Sequence, residues 1–322
     1  SVSSAMAVGA SVATPLVNAG MSSHVGPSEK PDPAALVVPI DWKRFERPPR
    51  EDEDYRRARQ MLLNAARHNV AWMPGAAENI ERNWRKLSGR QNHDVIRPAN
   101  SVSYAMAVVL KTGTFDGRAV GVSRQEVLER TVRLLKASAV AHNRDSWKYP
   151  WQSALWAATL GHAGWMLWDD LDAATQCQVA EIVEFEANRF VAPDYQVPYW
   201  SGQGGDTKAE ENAWNSMILN LACAMMPEHP HVGRWKTVCS ELMVSAYALE
   251  KDLLNESVLD GKPVKEWLRG YNVRDDGMVI NHGFPHPDYM TCVSLKLWAF
   301  PVQSLAGNPV SETADFRAET VY

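Results

Sequence analysis

Two segments of this 322-residue chain carry side chains suited to moving a proton: Gly205 to Met217 (GDTKAEENAWNSM) and Arg274 to Met290 (RDDGMVINHGFPHPDYM). The first places Glu211, Asn212, Asn215 and Ser216 on a polar flank in the opening turns of a helical pattern, with Lys208 just ahead. Unpaired backbone N–H groups and the helix dipole favour an anion at such a place. The second is a glycine-turned loop that gathers His282, His286 and Tyr289 before a further helix. Carboxamide, imidazole and phenol are the groups that a β-elimination beside a carboxylate requires. The proton on the neighbouring carbon becomes removable only when an amide or cation quenches the carboxylate's charge. A base then takes the proton, and an acid supports the departing oxygen. Neither a metal nor an organic cofactor is needed, and none is expected.

A third stretch, His142 to Ser153 (HNRDSWKYPWQS), adds Arg144, Trp147, Lys148, Tyr149 and Trp151, and Trp200 stands further on. Cations interleaved with aromatic faces suit a subsite for an acidic sugar. Arg97 and Asn100 in RPANSVSY offer the same on weaker terms. Thirteen tryptophans, bunched between Trp147 and Trp168, point collectively to sugar stacking, although a single indole more often fills a core. Taken singly, every one of these residues has an ordinary structural use. Asn212 can be a solvated helix residue, Tyr289 a core aromatic, His282 a loop cap, and His162, on a tryptophan-rich face, a core histidine.

The run DDGMVINHGFPHPDYM (Asp275 to Met290) resembles the Asp-Gly-x-x-x-x-His segment, followed by Tyr, of the helical-toroid lyases acting on hyaluronate, chondroitin and xanthan. That superfamily also includes heparinase II/III-like enzymes. ENAWN (Glu211 to Asn215) resembles their Asn-Trp segment. The resemblance implies that Asn212 neutralises the substrate carboxylate, with Asn215 in reserve. It makes His282 a base or its assistant, and Tyr289 the proton acceptor and donor. Arg144, Trp147, Lys148, Trp151, Trp200, Lys208, Asn215 and His286 would then contact an acidic polysaccharide or oligosaccharide. The spacing from His282 to Tyr289 and the residues around Asn212 depart from the family pattern, which leaves the substrate open.

The elements that must position these groups are helices. From Asp52 onward, apolar residues recur near a period of 3.6, and alternating β-branched runs are confined to short pieces at Val37 to Ile40 and Met278 to Ile280. Arg124 to Ala141 repeats Val127, Leu128, Leu134, Leu135 and Ala139, with Ser123 and Glu126 as a capping box. Trp151 to Trp168 sets Trp151, Leu155, Ala158, His162 and Trp165 on one face, and Ala173 to Phe190 follows. Thr207 and Glu210 have capping-box spacing ahead of a stripe of Trp214, Met217, Ile218, Leu221 and Met225, and a long helix from Val232 to Leu253 returns. Further pieces are expected at 52–69, 75–88, 101–110, 263–269 and 288–302. The fold class expected is all-α: antiparallel helix pairs forming an (α/α) toroid. The helix tally falls short of a full ring, so a partial toroid or a piece of a longer enzyme is expected.

Composition narrows the function. A net charge of -5 with no basic stripe argues against nucleic acid, and no run reaches membrane-spanning length. P-loop, dinucleotide fingerprint, HExxH and GxSxG motifs are all missing from the sequence. Cys177, Cys223, Cys239 and Cys292 lack zinc-like spacing. Asp275 and Asp276 in a turn read as a solvated loop before they read as a calcium site. Residues 1–40 run from small and apolar to proline-rich, as an export-signal remnant or linker arm would, which points to a secreted or periplasmic protein. Residues 41–322 are expected to form the helical (α/α) toroid catalytic domain, whole or truncated at its C-terminal end. Two alternatives stand beside the lyase: a glycoside hydrolase pairing carboxylates from Glu210, Glu211, Asp145 and Asp206, or a non-catalytic glycan-binding protein.

Overall fold

The computed structural model describes residues 32–46, 52–195, 197–200 and 206–317. The export-signal expectation falls on residues outside these. The arm, expected to run to residue 40, is already part of the helical body from Asp32 onward. Val37 and Ile40 are buried in the main core. The backbone around Val38 is extended but pairs with no strand: its N–H donates to the Met225 carbonyl at 2.8 Å, and its carbonyl accepts from the Trp165 indole at 2.8 Å.

The helices are α1 (Glu53–Asn83), α2 (Gly89–Lys111), the short α3 (Gly117–Val120), α4 (Arg124–His142), α5 (Ser153–Met166), α6 (Ala173–Arg189), α7 (Ala209–Met225) and α8 (Val232–Ser245). Beyond them lie a two-residue pair β1 and β2 (Val258–Leu259, Lys262–Pro263), α9 (Val264–Trp267), a second pair β3 and β4 (Ile280–Asn281, Phe284–Pro285), α10 (Pro287–Cys292), a 3-10 turn Val293–Trp298, α11 (Ala299–Ala306) and α12 (Glu312–Asp315). The described chain is all-α in class. Two rows of helices can be traced through the contacts, joined to each other by the packing of α2 on α1 and α4 and of α5 on α6, with α8 packed on α7. In one, α2 packs on α5, α5 on α7, and α7 on the 293–298 turn; in the other, α1 packs on α4 and α4 on α6. Burial follows the rows, because every residue of α7 and nearly every residue of α5 is inaccessible, whereas α1 buries a single stripe from Leu63 to Ile80.

Helix ends differ from expectation where side chains intervene. The pieces expected at 52–69 and 75–88 are one helix, α1, that continues through Pro74. Proline has no N–H for the Val70 carbonyl, and the Arg130 guanidinium occupies that carbonyl instead, at 2.6 Å. A full capping box between Ser88 and Gln91 starts α2 twelve residues before the expected piece at 101–110. The long helix expected to reach Leu253 stops at Ser245. The Ala248 carbonyl accepts the N–H groups of Asn272 and Val273, and Asp252 caps the Leu249 N–H, so the chain turns away. No described helix is long and apolar enough to cross a membrane.

Candidate functional site

The start of α7 and the β3–β4 hairpin are built as one unit. Asn281 and Phe284 face each other across a two-residue turn, His282 and Gly283, with φ of 54° and 82°. Positive φ at both central residues matches the twist of a tight hairpin, and it puts the His282 side chain at an exposed tip. The hairpin is tied to α7 by Thr207, whose N–H donates to the Ile280 carbonyl at 2.8 Å. Asn281 then donates from its amide to Glu210 Oε1 at 2.6 Å. Thr207, expected as the helix cap, is spent on this tie. The cap position belongs to Lys208, at φ 60° and without a side-chain cap.

Charges gather here. The Lys208 ammonium sits between Asp206 (2.8 Å) and Glu211 (3.0 Å). Partial burial works against that charge, but the two hydrogen bonds outweigh it and raise the Lys208 pKa. Glu211 also accepts from the Trp151 indole at 2.6 Å, which brings a half-exposed tryptophan of the 142–153 loop to the edge of the cluster. Glu210 is fully buried, and its Oε2 has no partner. Burial first, then the charges of Asp206 and Glu211, push its pKa up to about 7. Tyr289 is raised as well, by burial and then by Glu210, Cys292, Asp206 and Glu211. Its ring lies 4.4 Å from that of His286 and 6.1 Å from that of His282. His286 Nδ1 is a second buried atom without a partner. The carboxyl of Glu210 and the phenol of Tyr289 are thus both pushed towards their protonated forms.

Of the residues singled out by sequence, His282, His286 and Tyr289 lie within ring contact of one another, and Lys208 and Trp151 both reach Glu211. Asn212 is fully buried, and its amide accepts the Tyr199 N–H at 2.9 Å and donates to the Tyr199 carbonyl at 2.8 Å. It ties the segment at Tyr199 to α7 and, with no exposed surface, does not face a substrate. Asn215 lies one turn beyond Glu211 on the same helix face, and no hydrogen bond engages its amide among the described residues. Trp147, expected to face sugar, is buried and donates to the Ser138 carbonyl at 2.9 Å. Lys148 donates to the Arg85 and Leu87 carbonyls in the turn that follows α1, and Arg144 pairs with Glu181 at 2.8 Å. Trp200 packs against Gly270 in a separate apolar cluster. These four serve the scaffold.

The loop that delivers Trp151 has an unusual backbone. Asn143, Arg144, Ser146, Trp147 and Lys148 all have φ between 47° and 57°. For non-glycine residues that conformation costs about 1–2 kcal/mol each, so the surroundings must impose it. The buried Glu186 does much of this. It accepts from His142 (3.0 Å), Ser146 (2.6 Å), Ser153 (2.8 Å) and Arg189. Burial pushes its pKa up, but the His142 hydrogen bond, the Arg189 charge and the Ser146 hydroxyl overcome this and hold it below the usual carboxylate value. On the other side, Asn92 donates to the Trp147 carbonyl at 2.9 Å, and a Cβ on Gly89 would stand 2.2 Å from the Lys148 carbonyl oxygen.

In the sequence, Glu210 and Glu211 stand out as helix-opening residues and as hydrolase carboxylates, whereas Asn281 and Glu186 do not stand out. Adjacent glutamates opening a helix beside an aspartate were the available signal for the first pair, while nothing local marks Glu186. His162 is fully buried and accepts from the Trp298 indole at 3.0 Å, and burial lowers its pKa to about 3. Asp275 and Asp276 line a cavity of about 310 Å³ whose other walls include Val273, Val279, Met290 and Val293, a poor oxygen-ligand shell for calcium. Among the described residues no group of three or more His, Cys, Asp or Glu side chains is disposed to hold a metal ion. The four cysteines are free. Comparison with known proteins finds no matching family model, no matching curated protein and no matching solved structure.

Proposed function

We propose that this chain is a polysaccharide lyase that cleaves a uronate-containing acidic glycan by β-elimination. The observation that carries the reading is the junction of α7 with the β3–β4 hairpin, where the cluster of Tyr289, His282 and His286 is joined to the buried Glu210 through Asn281. In this reading His282 takes the proton from the carbon beside the uronate carboxylate. The electrons form the ring double bond as the glycosidic bond breaks, and Tyr289 gives its proton to the departing oxygen. Burial, and after it the neighbouring carboxylates, raise the Tyr289 pKa, so the phenol holds its proton at rest, the form in which a donor must start. With the Asn212 amide committed to Tyr199 and Asn215 buried in α7, quenching the substrate carboxylate falls to Lys208. Trp151 forms a stacking wall at the edge.

The two rows of helices support an incomplete (α/α) toroid, with α2, α5 and α7 as inner helices and α1, α4 and α6 as outer ones. Export to the periplasm or cell exterior fits a glycan substrate. One observation favours a second reading, a hydrolase. Glu210 and Glu211 are neighbours in very different settings, the first pushed up to about 7 and the second paired with Lys208. Incubation with hyaluronate, chondroitin, alginate and heparan separates the readings. A lyase gives products whose conjugated double bond absorbs in the ultraviolet. Cleavage without that absorbance establishes the hydrolase, and binding without cleavage leaves a glycan-binding protein.

A further inference from the structure

The left-handed turn at Ser146–Lys148 ends only three residues before Trp151, the half-exposed tryptophan whose indole N–H reaches Glu211. Between them, Tyr149 stacks flat on Trp156, with ring centroids 5.4 Å apart and planes 1° from parallel. The Pro150 carbonyl accepts from Arg189, the same side chain that holds Glu186. Trp151 stands edge-on to Trp214 of α7 at 5.7 Å. Glu186 thus joins four pieces of chain through side chains: the end of α4 by His142, the turn by Ser146, the start of α5 by Ser153, and its own helix by Arg189.

We propose that Glu186 is a positioning residue: it clamps the left-handed turn so that Trp151 is presented, face open, as the sugar-stacking wall beside Glu211. The proposal rests on the glycan reading only for what stacks on Trp151. A turn made of non-glycine residues at positive φ relaxes when its clamp is cut. The indole then loses its fixed angle to the acid cluster although α5, α6 and α7 remain packed. Strain also gives the clamp a signature. Glycine accepts positive φ freely, so glycine within the turn should compensate for a weakened clamp, which a residue that merely fills the core would not show.

The test is amide hydrogen exchange on the whole chain in the wild type, Glu186→Gln, and Glu186→Gln combined with Arg144→Gly, a left-handed residue of the same run whose side chain is exposed. The proposal expects exchange over residues 144–151 to rise at least about tenfold in Glu186→Gln, with α7 and α8 unchanged, and to fall back in the double variant. Binding of a hyaluronate oligosaccharide should weaken and recover in the same order, through KM with kcat nearly constant. Should Glu186→Gln not fold, Asn92→Ala, which frees the Trp147 carbonyl from the other side, must give the same local pattern. Exchange that rises uniformly across the helices, that stays unchanged, or that glycine does not restore overturns the proposal. If the wild type neither binds nor cleaves any glycan, the reading of function fails, while the order of exchange still decides whether Glu186 holds the turn.

Discussion

Glu186 and Glu210 are both glutamates with no accessible surface, yet their surroundings drive them in opposite directions. Around Glu186 both carboxylate oxygens have donors, and the charge of Arg189 and the hydrogen bond from His142 hold its pKa down. Around Glu210 one oxygen bonds Asn281, the other has no partner, and the neighbouring charges are negative, so the pKa rises to about 7. Burial is common to both, and the partners decide the sign. A closed network of this kind holds a backbone in place. An open one retains a group whose proton is exchangeable near neutral pH, as a reaction site needs.

Removing the clamp should have the largest effect on stability. Glu186→Ala leaves Arg189 and His142 facing a buried gap, and denaturant unfolding should show a loss of about 3–5 kcal/mol. A loss under about 1 kcal/mol would erase the contrast with Glu210. The pH dependence has a definite sign, because a pKa held below its unfolded value stabilises above that value. The contribution of Glu186 is therefore present at neutral pH and disappears as pH falls through its lowered native pKa.

Glu210 should behave in the opposite way. Its native pKa of about 7 lies above the unfolded value of 4.5, so its contribution is complete below pH 4.5 and is lost as pH rises through 7. Glu210→Gln should therefore gain stability over the wild type at pH 8, on the order of 2–3 kcal/mol, and the gain should shrink towards pH 5. Thermal melts at the two pH values measure it, and a gain independent of pH would contradict the open-network view. Trp151→Ala should weaken oligosaccharide binding about tenfold, or about 1.4 kcal/mol, measured as KM. The smallest effect belongs to Arg144→Ala. Its pairing with Glu181 is exposed, so stability should change by less than about 0.5 kcal/mol and turnover should not change, as kinetics on the same substrate would show.

Periodicity made the helices legible, and α4 begins at Arg124 as Ser123 and the repeat of Val127, Leu134 and Leu135 imply. What it did not disclose depends on partners far away in sequence. Nothing near Pro74 indicates that Arg130 will serve the Val70 carbonyl and keep α1 whole. Nor does the sequence around Asn212 reveal that its amide closes on Tyr199. The His282 to Tyr289 cluster was readable because it is local, with glycine and short spacing forcing three side chains together. The loop from His142 to Ser153 misled for a related reason. Its cations and tryptophans match a sugar subsite by type, but a left-handed backbone turns Trp147 into the core and sends Lys148 to the turn that follows α1, leaving Trp151 alone at the cluster.

The claim on which the rest depends is that Tyr289 moves a proton at the junction of α7 and the hairpin. It is tested most directly by following ultraviolet absorbance as wild type and Tyr289→Phe act on a uronate glycan that the wild type cleaves. The prediction is a fall in rate of about 10²–10⁴-fold, with an unchanged circular dichroism spectrum. Equal rates of absorbance gain in the two proteins would contradict it.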